Sequence, residues 1–155
     1  MKLGPIEFGV KDIKDFGSEI LRIISLRPQI NKNNAFILFV DDEEFPIIKT
    51  LESSGWNVKL ITDITNLQDE AVVKAHVIFV DYKGVGKKLS PEDEGLGLIK
   101  AVKDTYKDKK RVILYSGHTG FTLGHRFDWA DGWMSKNSQA YQFITRIESE
   151  LKEIK

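Results

Sequence analysis

The sequence predicts an α/β domain built on a central parallel sheet. Three short apolar runs carry that expectation: residues 36–40 (FILFV), 76–80 (HVIFV) and 112–115 (VILY). Each is rich in β-branched and aromatic residues and does not alternate with polar ones, the pattern of strands buried on both faces. Segments with helical spacing fall between them. Strands alternating with helices in short repeats require right-handed crossovers and helices on both faces of the sheet.

The elements follow in chain order. After strand 36–40 comes a helix over 43–54, with Ile47, Ile48 and Leu51 on one face, Pro46 in its first turn and Gly55 as its stop. A strand over 57–61 (NVKLI) is more polar and suits a sheet edge. A short helix over 67–74 leads into strand 76–80. The next helix, over 96–106, carries Leu98, Ile99, Val102 and Tyr106; Ser90 and Pro91 offer an earlier N-cap and first turn, against which Gly95 and Gly97 weigh. Strand 112–115 is followed by a helix over 121–130 and an edge strand over 132–135 (GWMS). The last helix starts at Ser138 as N-cap and spaces Tyr141, Ile144, Ile147 and Leu151 along one face.

Residues 1–34 stand outside this alternation. Val10, Ile13, Phe16, Ile20 and Ile23 recur at steps of three and four, giving one amphipathic helix that ends before Pro28. Residues 31–34 (NKNN) form a polar linker. Two readings of the helix stand: its apolar face packs on its own domain, the general tendency, or it makes a homodimer or partner contact through about two heptads.

Composition narrows the function. The chain has 155 residues, 23 Lys+Arg against 23 Asp+Glu, and no cysteine. That length suits one main domain with an ordinary core. A formal net charge of zero argues against holding nucleic acid or acidic lipid by bulk electrostatics. Without cysteine there is no disulfide framework, thiolate nucleophile or Cys-ligated zinc. No signal peptide or membrane span is legible, so a cytoplasmic location is expected.

The candidate site lies at the carboxyl ends of the strands, where ligands bind in doubly wound sheets. Asp41 and Asp42 follow the first buried strand and Asp81 follows the second, so three carboxylates converge if those strands are neighbours. Such a cluster suits Mg2+, which takes carboxylates, a carbonyl and waters. Asp41 and Asp42 read equally well as caps of the following helix. Two further strand ends break the tie: one strand ends in Ser116, a hydroxyl, and another leads into Lys136, a cation. Acid, acid, hydroxyl and lysine all fall on the same sheet edge.

With these residues the chain resembles the receiver domain of two-component response regulators, of which the bacterial chemotaxis regulator is the minimal example. The resemblance spans residues 35 to 154. It rests on the acidic pair in FVDDEE, the aspartate in VIFVDYKGV, the GLGLI start of the third helix, the serine in VILYSG and the lysine in ADGWMSKN. It implies a flavodoxin-like doubly wound sheet of five parallel strands in the order 2-1-3-4-5, with residues 35–155 as the receiver domain and an added N-terminal helix. It implies that Asp81 is the phosphoacceptor, Asp42 a direct Mg2+ ligand, Asp41 its partner and the Lys83 backbone carbonyl a further ligand. Ser116 and Lys136 match the catalytic hydroxyl and lysine, and Ser116 with Trp133 matches the switch pair. The implied partners are a histidine kinase or phosphotransfer protein and a downstream protein. No output domain is legible after the last helix, so a stand-alone receiver that binds no DNA is expected. Such a domain is not an enzyme in the ordinary sense: it catalyses only its own phosphorylation and dephosphorylation.

The sequence departs from that pattern in places. The segment between Asp81 and Gly95 is several residues longer than usual, and Asn137 stands where the family usually has proline after the lysine. Gly84, Gly86, Lys87 and Lys88 lack the spacing of a nucleotide-binding loop, so a mobile lid or a partner-docking loop is the expectation there. Trp133 reads either as a switch or as core packing. His118 and His125 lack a third ligand and read as surface residues rather than a zinc pair. These departures motivate an alternative, a receiver-like adaptor that works without phosphorylation. A phosphohydrolase of the haloacid dehalogenase type also places Asp at a strand end, but Glu43 and Phe45 fit its motif poorly.

Overall fold

The computed structural model describes residues 10–25, 28–117 and 128–155. Five strands pair in parallel: β1 (Phe36–Val40), β2 (Asn57–Ile61), β3 (Val77–Asp81), β4 (Arg111–Ser116) and β5 (Gly132–Ser135). Their order across the sheet is β2-β1-β3-β4-β5. The doubly wound α/β architecture expected from the sequence is therefore the one observed. Register sets the functional edge: Val40 lies beside Val80, Asp81 beside Tyr115 and Ser116 beside Ser135.

The apolar runs become central strands because both of their faces are covered. Ile37, Phe39, Phe79, Ile113 and Tyr115 face one side and pack with Ile48 and Leu51 of α2 (Ile47–Ser53) and with Phe143, Ile147 and Leu151 of α5 (Ala140–Leu151). Leu38, Val40, Ile78, Val80, Val112 and Leu114 face the other, against Val72 of α3 (Glu70–Lys74) and Leu96, Ile99 and Val102 of α4 (Gly95–Tyr106). The more polar β2 and β5 take the two edges, as alternation between exposed and buried positions requires.

Several boundaries differ from the sequence expectation, each for a local reason. The helix expected over 43–54 starts at Ile47, because Glu43 N–H donates to Asp41 Oδ1 and Pro46 takes the N-cap position. The helix expected over 67–74 starts at Glu70, since Asn66 closes a turn by accepting from Gln68 N–H. The last helix is capped by Gln139 and not by Ser138: Gln139 and Gln142 satisfy each other's backbone N–H groups in a reciprocal capping box. The helix expected over 121–130 and both His118 and His125 fall outside the described residues, apart from 128–130, where 128 and 129 belong to a 3-10 turn.

The N-terminal helix forms as α1 (Val10–Ser25). The described apolar side chains of this helix do not pack on the domain: Phe16 is 70% exposed and Ile20, Leu21 and Ile23 are exposed as well. This corrects the local-packing expectation. The faces of the central strands are already covered by α2, α5, α3 and α4, so the stripe finds no apolar surface there. Residues 31–34 are not a loose linker, for Asn31 N–H donates to Asn34 Oδ1 and Ala35 N–H to the Asn31 carbonyl. Among the described residues no helix is long and apolar enough to cross a membrane.

Candidate functional site

The central strands deliver three carboxylates to one point. Asp41 follows β1, Asp42 comes next, and Asp81 is the last residue of β3. One oxygen from each lies within 4.8 Å of the others. Asp41 is 2% exposed and Asp81 8%, whereas Asp42 is exposed. Lys136, just past β5, reaches back across the edge, with Nζ 2.7 Å from Asp41 Oδ2 and 2.9 Å from Asp81 Oδ2. An open pocket of about 380 Å³ lies over them, lined by Asp42, Glu43, Asp81, Lys83, Gly84, Gly117 and Lys136.

Burial and charge set the electrostatics. Burial raises the Asp81 carboxyl above the usual carboxylate range, partly opposed by the hydrogen bond from Lys136. Burial alone would lower the Lys136 ammonium, but the bonds to Asp41 and Asp81 prevail and raise it. Asp81 Oδ1 accepts from the Tyr82 N–H at 2.7 Å, which fixes the rotamer that offers Oδ2 to Lys136.

The donor set suits a hard divalent cation, which favours carboxylate and carbonyl oxygens. Backbone shape agrees. Gly84 has φ +85°, and a Cβ there would lie 2.3 Å from Asp42 Oδ2, so only glycine lets the chain close over that carboxylate. Gly95 is equally constrained, since a Cβ there would lie 1.9 Å from the Asp81 carbonyl oxygen. These two glycines bring the long β3–α4 segment against the acid cluster.

That segment is folded. Val85 is fully buried, Gly86 N–H donates to Asp63 Oδ1 at 2.6 Å, and Ser90 and Glu94 N–H close successive turns on the Gly86 and Ser90 carbonyls. Lys83 Nζ stands 3.2 Å from Glu94 Oε2 and 4.7 Å from the centroid of the Tyr82 ring. A freely mobile lid is not what this packing describes.

The site residues expected from the sequence separate into two groups. Asp41 and Asp81 meet Lys136 directly, Asp42 brings a carboxylate oxygen within 4.8 Å of theirs, and Lys83 lines the same pocket. Ser116 is on the same edge, 4% exposed, with its carbonyl accepting from Lys136 N–H at 2.9 Å. Trp133 does not line the pocket; it sits on edge strand β5 beside Leu114 and is 37% exposed, so it is not a core residue. After Lys136, Asn137 N–H donates to Ser135 Oγ at 3.1 Å, a bond that proline could not make.

Sequence reasoning missed Tyr115. Its hydroxyl donates to Asp41 Oδ2 at 2.7 Å, and burial, then the neighbouring Asp41 charge, push it far above the usual phenol range. The available signal was a phenol ending an otherwise aliphatic run, one residue before Ser116.

No protein-family model and no curated protein matches the chain. Solved structures do. A response regulator from Thermotoga maritima superposes with a TM-score of 0.60 at 21% identity, over 77% of this chain and 98% of that one. The chain has the fold of a response regulator receiver domain. The receiver fold recurs in a CheY-like receiver domain protein from Methanospirillum hungatei, with TM-score 0.55, 20% identity, and 77% and 94% of the two chains covered. Vibrio cholerae chemotaxis protein CheY4 matches at TM-score 0.56 and 21% identity, over 74% of this chain and 97% of that one. In this receiver fold the acid cluster stands at the carboxyl edge of the neighbouring central strands β1 and β3.

Proposed function

We propose that the chain accepts a phosphoryl group on Asp81, in a Mg2+-dependent reaction, and thereby switches a protein-interaction surface. Residues 35–155 are the receiver and residues 1–34 an appended helix and linker. The observation that carries this reading is the shared lysine: one Nζ bonds Asp81 and Asp41 at once, beside an exposed Asp42 at the floor of an open pocket.

An Asp81 carboxylate oxygen attacks the phosphorus of a phosphohistidine on a kinase or phosphotransfer protein, or of a small phosphodonor. The new O–P bond forms as the bond to the leaving group breaks, and the leaving imidazole keeps its electron pair and takes a proton. Asp42, Asp81 and the Lys83 carbonyl would hold Mg2+ with Asp41 beside them, and the bound ion would neutralise carboxylate and phosphoryl charge. Lys136 supplies a point charge to one phosphoryl oxygen and the Ser116 hydroxyl donates to another. Movement of Ser116 toward the phosphoryl group, coupled to rotation of the half-exposed Trp133, turns the local charge change into a surface change that a downstream protein reads. The chemistry is limited to the domain's own phosphorylation and dephosphorylation, in the cytoplasm, without nucleic acid or membrane as partner.

Incubation with acetyl phosphate and MgCl2 is expected to add the mass of one phosphoryl group. EDTA and Asp81→Asn should each abolish the gain. An unmodified wild-type mass at saturating donor and metal would refute the reading.

A further inference from the structure

The Asp41 carboxylate is held at three points. Its Oδ1 accepts from Glu43 N–H at 3.0 Å, and its Oδ2 is shared by the Tyr115 hydroxyl and Lys136 Nζ, each at 2.7 Å. With both of these donors in place, the Asp41 side chain is only 1% exposed. Of the two groups on Oδ2, one reaches the pocket and one is locked in the core. Lys136 faces the pocket and already divides itself between Asp41 and Asp81. Tyr115 is fully buried, its ring wedged 5.6 Å from Phe39, 5.3 Å from Phe45 and 6.1 Å from Phe79 by centroids. The Lys136 ammonium stands 5.1 Å from the centroid of that same ring.

We propose that Tyr115 is a positioning residue that keeps Asp41 fixed and hydrogen-bonded while Lys136 is handed from Asp41 to the phosphoryl group forming on Asp81. The inference rests on the phosphoacceptor reading given above. A lysine that leaves a buried carboxylate oxygen with no other donor orphans a charged acceptor, and that desolvation cost opposes departure. The Tyr115 hydroxyl stays behind and satisfies Oδ2, so the transfer of Lys136 becomes cheaper. The hydroxyl therefore acts in the step where Lys136 moves, and less in the resting site, where Oδ2 has two donors.

The test uses the full chain with Tyr115→Phe, Lys136→Ala and the double variant. Urea unfolding without phosphodonor isolates the sharing of Oδ2. Tyr115→Phe is expected to lower the folding constant about tenfold more in the Lys136→Ala background than in the wild type, because there the hydroxyl is the last side-chain donor to that oxygen. With acetyl phosphate at saturating Mg2+, Tyr115→Phe should lower the maximal phosphorylation rate about tenfold and leave the donor KM and the Mg2+ affinity within about twofold. Additive effects on unfolding, or an unchanged maximal rate, overturn the proposal. A wild-type chain that takes no phosphoryl group overturns the underlying reading instead, and the unfolding cycle then decides whether Tyr115 and Lys136 share Asp41.

Discussion

Lys110 shows how far a single side chain's chemistry can depart from its appearance in sequence. It belongs to a basic run, yet it is 5% exposed, and its Nζ donates at 2.7 Å to both the Val73 and Ala75 carbonyls at the end of α3. No carboxylate pairs with it among the described residues, and burial lowers it to about 8. The unfolded lysine stays near its usual value, so between about pH 8 and 10.5 the folded chain binds fewer protons than the unfolded one. Stability from this group therefore rises with pH across that window. Lys110→Met should lack the rise, so denaturation at pH 7.5 and pH 10 is expected to show the difference between the two chains moving in the wild type's favour at the higher pH. A difference that does not change with pH would contradict the assignment. At the same scale, Asp41, Asp42, Asp81, Ser116 and Lys136 were legible because strand ends announce themselves by a change from apolar to polar residues. Tyr115 was not, since its partner Asp41 lies 74 residues away and an aromatic in an apolar run reads as core.

Elements were legible where one physical signal dominated. The three central strands read correctly because their apolar character is continuous, and α4 because its stripe is long. Starts and ends read less well: Pro46, Asn66 and Gln139 act through hydrogen bonds that compete with helix formation, and two-residue signals cannot rank such competitors. The β3–α4 segment illustrates a further cause. Its shape depends on long-range contacts, with Asp63 holding Gly86 and with Gly84 pressed on Asp42. One consequence is strain at the start of α4, where Glu94 sits at φ 49° and ψ −122° without being glycine. Its ion pair with Lys83 is too exposed on the lysine side to offset much of that strain. Glu94→Gly is expected to raise stability by about 1 kcal/mol, read as a higher urea midpoint. A lower midpoint would mean that the Lys83 contact outweighs the backbone.

For the whole molecule, the receiver fold and the acid cluster depend on one topological fact. Placing β1 and β3 side by side brings Asp41 and Asp81 within reach of a single lysine from beyond β5. Alternation of strands and helices made the sheet legible; the strand order followed from the family resemblance and not from periodicity. The neutral overall charge concealed the asymmetry, because it sums an acidic pocket at one sheet edge with basic residues such as Lys107, Lys109 and Lys110 beyond the other end of α4 and at the start of β4. On α1, the described apolar side chains Phe16, Ile20, Leu21 and Ile23 stay exposed.

The central claim is that Asp81 forms the acyl phosphate. The most direct measurement treats the acetyl phosphate-reacted chain with borohydride, which reduces an aspartyl phosphate to homoserine, and maps the product by peptide mass spectrometry. Homoserine is expected at position 81 in the presence of Mg2+ and none after EDTA. Homoserine at Asp41 or Asp42, or at Asp81 regardless of metal, would contradict it.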